Sequence, residues 1–207
     1  VSKLNHDPLN IIVCGIGGQG NILASELLGS ALVEKGYRVS MGETYGASQR
    51  GGSVMSHIRV SAKAEMGVLI PAGQAHVIAG FEPLETLRMV RQYGGPDTVA
   101  IFDDRAVYPV GVLSGELLYP PVRDIVTELT RRCRKAPIVP AAEIALRETG
   151  DGKAANIALM GALMALSELP LDKEDFTRVL RQRFKGPVLE MNLKVFEAGW
   201  IALAAQL

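Results

Sequence analysis

Short apolar runs alternate with helical patterns through the amino-terminal part of the chain. Residues 10–14, Asn-Ile-Ile-Val-Cys, form a β-branched run that is followed by a glycine, which is typical of a buried parallel strand. Apolar residues then recur at helical spacing over 21–35, and Gly36 follows as a helix stop. Alternating apolar and polar residues over 37–41 indicate a second strand. The pattern therefore predicts a βαβ unit over 10–41.

The same patterns predict the remaining elements. Further strands are expected at 53–60, 75–79, 98–102 and 136–139, with a helix over 83–93. After Pro140 the pattern is helical only, and helices are expected at 141–149, 154–167, 173–184 and 188–205. We therefore expect residues 1–207 to form a single α/β domain. Its core would be a Rossmann-like, open and mostly parallel sheet with helices on both faces and a helical carboxyl-terminal portion.

The predicted turn between the first strand and the first helix matches the G-x-G-x-x-G pattern. Its candidate binding residues are Gly15, Gly17, Gly18, Gln19 and Gly20. Glycines let the backbone approach an anion, and a helix N-terminus offers free N–H groups. Glu43 follows at about the spacing of a ribose-binding carboxylate. The alternative is that the glycines only permit close packing of helix on strand, or contact with another subunit.

A second glycine-rich segment spans residues 42–52, Gly-Glu-Thr-Tyr-Gly-Ala-Ser-Gln-Arg-Gly-Gly, and is expected to be a loop. A guanidinium among glycines, that of Arg50, is suited to a carboxylate or phosphate. Its alternative role is to hold the turn by pairing with a local acid or carbonyl. The candidate binding residues of this segment are Gln49, Arg50, Gly51 and Gly52.

Composition narrows the class of function. The chain has 22 Lys and Arg against 22 Asp and Glu, so it offers no electrostatic footprint for nucleic acid or an acidic membrane. Two cysteines, Cys14 and Cys133, cannot supply the four thiolates of a cubane iron–sulfur cluster, and they fit a reducing, cytoplasmic setting. The longest apolar run, 157–166, is too short to span a bilayer. A cytoplasmic protein is expected.

No complete catalytic or metal-binding constellation is found in the sequence, so we predict neither a catalytic residue nor a metal ligand. The triplet 150–152, Gly-Asp-Gly, resembles the start of a thiamine-diphosphate motif. However, residues 170–185 lack the asparagine that would complete its Mg²⁺ site, and a turn is expected instead. His57 lies in an alternating strand, where a structural histidine is expected rather than a catalytic base.

The two glycine-rich segments resemble the gamma-domain family of 2-oxoacid:ferredoxin oxidoreductases. The resemblance continues through 80–85 (Gly-Phe-Glu-Pro-Leu-Glu), 156–162 and 190–199, so it spans most of the chain. The Gln-Arg-Gly-Gly form at 49–52 is most similar to the small, beta-type subunits of the indolepyruvate branch. The segment 43–48, Glu-Thr-Tyr-Gly-Ala-Ser, departs from that branch, in which a histidine more often precedes the glycine. This leaves the choice of 2-oxoacid open.

The resemblance implies a division of labour between subunits. A larger partner subunit would carry thiamine diphosphate, Mg²⁺ and [4Fe-4S] clusters. The whole enzyme would decarboxylate an aryl pyruvate, pass the acyl group to coenzyme A and send electrons to ferredoxin. This chain would bind none of these cofactors alone and would be inactive in isolation. The alternative is a free-standing NAD-binding Rossmann dehydrogenase or a nucleotide-binding module, which the first glycine turn and Glu43 would suit.

Overall fold

The computed structural model describes residues 4–45, 51–108 and 110–206. Within them, the strands are β1 (Leu9–Ile16), β2 (Arg38–Tyr45), β3 (Ser53–Ser61), β4 (Ala75–Gly80) and β5 (Gly94–Phe102). The helices of the same residues are α1 (Asn21–Glu34), α2 (Pro83–Tyr93), α3 (Val110–Leu113), α4 (Val122–Arg132), α5 (Ala141–Thr149), α6 (Ala155–Ala165), α7 (Lys173–Arg183) and α8 (Gly186–Ala204).

The strands form one open sheet with the order β2-β3-β1-β4-β5. β1 pairs in parallel with β4, and β4 pairs in parallel with β5, whereas β3 is antiparallel to both β1 and β2. Four strands thus point in one direction and only β3 opposes them among the described residues. The predicted α/β class and open sheet are confirmed, and the sheet is mixed, because two of the four strand pairings among the described residues are parallel and two are antiparallel. β3 lies between β1 and β2, however, so the expected βαβ unit does not bring its two strands side by side.

The sheet is covered on both faces, which explains the continuous apolar run of β1. Ile11 and Val13 pack into a core with α1 and α5–α8. Ile12 and Cys14 point to the other face and pack into a second core with α2 and α4. Because alternate residues of a strand face opposite sides, a strand buried on both faces must be apolar at every position.

Two predicted elements differ from the structure. Residues 42–45 were expected in a loop but extend β2, since each pairs with a residue of β3 from Val54 to His57. Residues 136–139 were expected to form a strand. They make one isolated bridge with β5, between Ile138 and Phe102. Pro137 lies within this segment and Pro140 directly follows it, and a proline cannot donate the backbone hydrogen bond that a full ladder needs.

The helix predictions are confirmed to within a few residues, and α2 and α5 have the predicted bounds. Across the described ranges, no helix combines the length and the apolar character that a bilayer crossing would require.

Candidate functional site

The first glycine-rich turn, residues 17–20, lies at the carboxyl end of β1 and leads directly into α1. Gly18 and Gly20 have φ angles of +105° and +80°, in the left-handed region that glycine enters without strain. β4 and β5 end at the same edge of the sheet, where Phe81 and Asp103 follow them. This edge, beyond the carboxyl ends of parallel strands, is where open α/β sheets bind ligands.

Gln19 holds the turn in place. Its Oε1 accepts a hydrogen bond from the backbone N–H of Ile16 at 2.6 Å, and its Nε2 donates to the carbonyl of Phe81 at 2.8 Å. The side chain therefore joins the end of β1 to the segment that follows β4. Both ends of this amide are engaged by the protein itself, which gives Gln19 a structural task at the site.

The glycines of the fingerprint divide into two groups. A Cβ on Gly20 would overlap Nδ2 of Asn156, the atom that donates a hydrogen bond to the Gly20 carbonyl at 3.2 Å. A Cβ on Gly15 would lie 2.6 Å from Oε1 of Gln19. These two glycines serve close packing. Gly18 is exposed, and a Cβ there would meet nothing within 4 Å. Gly18 is thus open to a ligand.

A cavity of about 330 Å³ opens beside the turn. Gly18 and Gln19 line one side, while Asp103, Arg105, Asp151 and Lys153 contribute the ionisable groups of the other. None of these four was predicted from the sequence as a binding residue. The carboxyl end of a parallel strand could have pointed to Asp103 and Arg105, since both follow β5 directly. No local pattern could have predicted that Lys153, which precedes α6, lies at the same cavity.

Asp103 is a buried carboxyl group at the cavity wall, with 3% of its surface exposed. Its Oδ2 accepts from the N–H of Ala142 at 2.9 Å, and its Oδ1 accepts from the N–H of Arg105 at 3.2 Å. Because Pro140 provides no side-chain cap for α5, Asp103 caps that helix from across the sheet edge. Burial raises its pKa to about 6, and the two backbone hydrogen bonds limit the rise.

The two cationic side chains of the cavity differ in their ion pairing. Lys153 pairs with Asp151 at 2.7 Å, and Asp151 also accepts the N–H of Lys153 at 3.0 Å. Arg105 is exposed and forms no ion pair with any residue that the structure describes. A guanidinium beside an exposed glycine and a helix N-terminus is suited to a phosphate or a carboxylate.

The second group of predicted binding residues is only partly described. Gln49 and Arg50 lie outside the described residues. Gly51 has a φ of +75°, and the carbonyl of Gly52 accepts the N–H of Gly17 at 2.9 Å. The end of the second glycine-rich segment therefore meets the first turn.

Glu43 is not brought to the turn. It lies in β2 opposite Ser56 of β3, which in turn lies opposite Val13 of β1. Two strand spacings, about 10 Å, therefore separate Glu43 from β1, and its register lies before the end of that strand. In a dinucleotide site the acidic residue follows a strand adjacent to β1, which is not the arrangement here.

Residues 150–152 and His57 have the structural roles that the sequence predicts. The 150–152 segment is a turn in which Gly150 has a φ of +74° and Asp151 caps the backbone, as expected. Nδ1 of the buried His57 accepts the N–H of Ile70 at 3.2 Å, and burial lowers the pKa of this imidazole. No group of three possible metal ligands occurs in the part of the chain that the structure describes.

Residues 10–202 match the family model described as pyruvate ferredoxin/flavodoxin oxidoreductase. Among curated proteins, the chain is 33% identical to indolepyruvate oxidoreductase subunit IorB of Archaeoglobus fulgidus, over 93% of this chain and 94% of the relative. It is 34% identical to the subunit of the same name from Methanothermobacter thermautotrophicus, over 94% of this chain and 97% of the relative.

Two solved structures share the fold. The gamma subunit of a keto/oxoacid ferredoxin oxidoreductase from Geobacter sulfurreducens matches with a TM-score of 0.68 and 22% identity, over 95% of this chain and 99% of that one. A 2-oxoglutarate:ferredoxin oxidoreductase from Magnetococcus marinus, solved with 2-oxoglutarate, coenzyme A and succinyl-CoA bound, matches with a TM-score of 0.74 and 22% identity. It covers 98% of this chain, which corresponds to 32% of the longer one.

Proposed function

Because this chain belongs to the pyruvate ferredoxin/flavodoxin oxidoreductase family, as the small subunit of a 2-oxoacid:ferredoxin oxidoreductase, we propose that its enzyme oxidises an aryl pyruvate of the indolepyruvate type. The observation that carries this proposal is the likeness to two indolepyruvate oxidoreductase subunits at 33% and 34% identity over nearly their whole lengths. The products would be the aryl acyl-CoA, carbon dioxide and reduced ferredoxin.

The test of the substrate is a comparison of 2-oxoacids with the purified whole enzyme. Indolepyruvate and phenylpyruvate should give kcat/KM values at least tenfold above those of pyruvate, 2-oxoisovalerate and 2-oxoglutarate, because a pocket for an aryl ring leaves unfilled space around a smaller side chain. Reduction of ferredoxin is the signal. A preference for pyruvate or 2-oxoglutarate would contradict the aryl assignment and leave the family assignment intact.

The alternative of a free-standing NAD-binding dehydrogenase is not supported. The relatives that match this chain over nearly their whole lengths are subunits, and Glu43 lies two strands from β1 rather than beside it. Residues 1–207 are proposed to form one gamma-type domain, and the family match over 10–202 supports this.

Within the enzyme, we propose that the cavity beside Gly18 accepts a phosphate-bearing part of the co-substrate coenzyme A. Three features support this use: the exposed Gly18 in the left-handed region, the N-terminus of α1 without a side-chain cap, and the unpaired guanidinium of Arg105. Opposite charge and free N–H groups together bind phosphate. We propose that residues 49–52 complete this phosphate site, because the carbonyl of Gly52 accepts a hydrogen bond from Gly17.

Replacing Arg105 with alanine tests this use of the cavity. Arg105→Ala should raise the KM for coenzyme A by roughly tenfold, as expected for one lost charge-assisted contact, with little change in the KM for the oxoacid. Arg123→Ala is the matched control, since the Arg123 side chain is 87% exposed and, among the described residues, pairs only with Asp124. If both variants bind coenzyme A like the unaltered enzyme, the cavity is not the binding site.

We further propose that the partner is a larger subunit that holds thiamine diphosphate, Mg²⁺ and the [4Fe-4S] clusters, and that ferredoxin docks through the whole enzyme. The donor set of this chain does not fit these groups. A cubane needs four thiolates and the sequence has Cys14 and Cys133 only. The carboxylate of Asp151, in the segment that resembles a thiamine motif, is engaged by Lys153. Two free cysteines also support the cytoplasmic location.

A further inference from the structure

The segment that links β5 to α4 passes along the candidate cavity. Its first part supplies Arg105 and Val107 to the cavity lining. Farther along, the ring of Tyr119 packs edge-on against the ring of Tyr108, with 5.1 Å between the ring centres. Both Val107 and Tyr119 donate hydrogen bonds to the same side chain, that of Glu82.

Glu82 is fully buried and lies just before α2. Its Oε2 accepts the N–H of Glu85 at 2.8 Å and so caps the helix. Its Oε1 accepts the N–H of Val107 at 3.4 Å and also the hydroxyl of Tyr119. The Tyr119 hydroxyl is protonated at neutral pH and so can donate this hydrogen bond, and burial raises its pKa further. One carboxylate thus gathers donors from three places in the chain.

The choice of glutamate is informative. Helix N-caps favour the short side chains of Asp, Asn, Ser and Thr, so capping α2 alone would not require glutamate. The extra methylene of Glu82 lets the carboxylate reach Val107 and Tyr119 as well as the helix. The neighbouring carbonyl, that of Phe81, holds Gln19 of the glycine turn at 2.8 Å. Residues 81 and 82 therefore fix both walls of the cavity relative to each other.

We propose that Glu82 is a positioning residue, which holds residues 107 and 119 against the end of β4 and thereby sets Arg105 beside Gly18. It does not contact the ligand itself. Its effect on the reaction rests on the proposed use of the cavity for coenzyme A, whereas its hold on the segment does not.

Two variants of the whole enzyme separate this role from simple capping. Glu82→Asp keeps a good N-cap for α2 but is too short to hold the segment, and Tyr119→Phe removes one donor without changing the ring contact. Amide hydrogen exchange over residues 105–119 should be roughly tenfold faster in both, as expected for a lost hydrogen bond to a buried carboxylate. The KM for coenzyme A should rise several-fold with kcat nearly unchanged.

Tyr108→Phe is the matched control. It lies in the same segment and keeps the ring contact with Tyr119, and its hydroxyl forms no hydrogen bond with the described residues. Exchange and KM should stay at the values of the unaltered enzyme.

The results distinguish the two proposals. Unchanged exchange over 105–119 in both Glu82→Asp and Tyr119→Phe overturns the hold on the segment. Faster exchange with an unchanged KM for coenzyme A overturns the positioning role, provided that Arg105→Ala raises that KM. If Arg105→Ala also leaves the KM unchanged, the proposed use of the cavity fails, and the exchange rates alone decide whether Glu82 holds the segment.

Discussion

Three buried or partly buried polar side chains shape the cavity at the level of single residues. Gln19 ties the glycine turn to Phe81, Glu82 ties the segment after β5 to α2, and Asp103 ties β5 to α5. Each of them bonds to backbone groups that no helix or strand satisfies. A buried polar group without a partner is costly, so these contacts are strongly favoured once the chain has folded.

Alanine at Gly20 should destabilise the protein more than alanine at Gly18. Both positions have positive φ angles, so both substitutions carry strain of about 1 kcal/mol or more. Only at Gly20 would the added Cβ also overlap Asn156. We expect Gly20→Ala to lower the free energy of unfolding by about 2–4 kcal/mol, measured by urea denaturation. Equal losses in the two variants would show that Asn156 moves away freely.

Asp103 should make the protein less stable as the pH rises. Its pKa is about 6 in the folded protein against an ordinary 3.8, so its contribution is fully present below pH 3.8 and is lost as the pH passes through 6. Stability differences between the unaltered protein and Asp103→Asn, measured at pH 4 and pH 7, should therefore change by up to about 3 kcal/mol. Burial lowers the pKa of His76 to about 4, which makes the protein more stable as the pH rises. This effect is the same in the unaltered protein and in Asp103→Asn, so it cancels in the difference between them. A pH-independent difference would contradict the raised pKa.

At the level of elements, the carboxyl-terminal helices pack so closely that glycine is required at their contact. A Cβ on Gly161 of α6 would overlap the carbonyl oxygen of Phe196, and a Cβ on Gly199 of α8 would overlap that of Ala158. The two helices therefore meet backbone to backbone. Neither helix can relieve such an overlap by rotating a side chain, because both overlapping atoms belong to the main chain.

Gly199→Ala should consequently be among the more damaging single substitutions. We expect a loss of at least about 3 kcal/mol in the free energy of unfolding, since the two helices must move apart. Gly67→Ala is the control, because a Cβ at that exposed position meets nothing within 4 Å. Thermal denaturation followed by circular dichroism would measure both. Similar midpoints for the two variants would show that α8 shifts without cost.

The elements themselves were largely predictable from local patterns. The apolar stripe of α1, the glutamate and proline that begin α2, and the Asp172–Asp175 capping box of α7 are local signals, and the structure has helices at all three. The strand predicted at 136–139 was wrong, because an apolar run does not guarantee a partner with which it can form a ladder. The loop predicted at 42–45 was also wrong, because pairing with β3 outweighs the low strand propensity of glycine.

At the level of the whole molecule, the residues that the structure describes offer a cavity but not a set of reactive groups. We expect the isolated chain to show no turnover with any 2-oxoacid. Co-expression with the proposed large subunit should give a brown complex that contains iron and thiamine diphosphate and reduces ferredoxin. Metal analysis measures the iron content, and size-exclusion chromatography shows whether the two chains form a complex. Turnover by the isolated chain, or failure of the two chains to co-elute, would contradict the proposed division of labour.

The sequence by itself determined the α/β class, the glycine turn after β1 and the lack of thiolates for a cluster, because each depends on local pattern or on residue counts. Only the tertiary structure decided which glycines pack and which one is exposed. It also separated Glu43 from β1 by inserting β3, and it brought Asp103, Arg105 and Lys153 to one cavity. These outcomes depend on strand order and on contacts between residues far apart in the chain, and local periodicity carries no information about either.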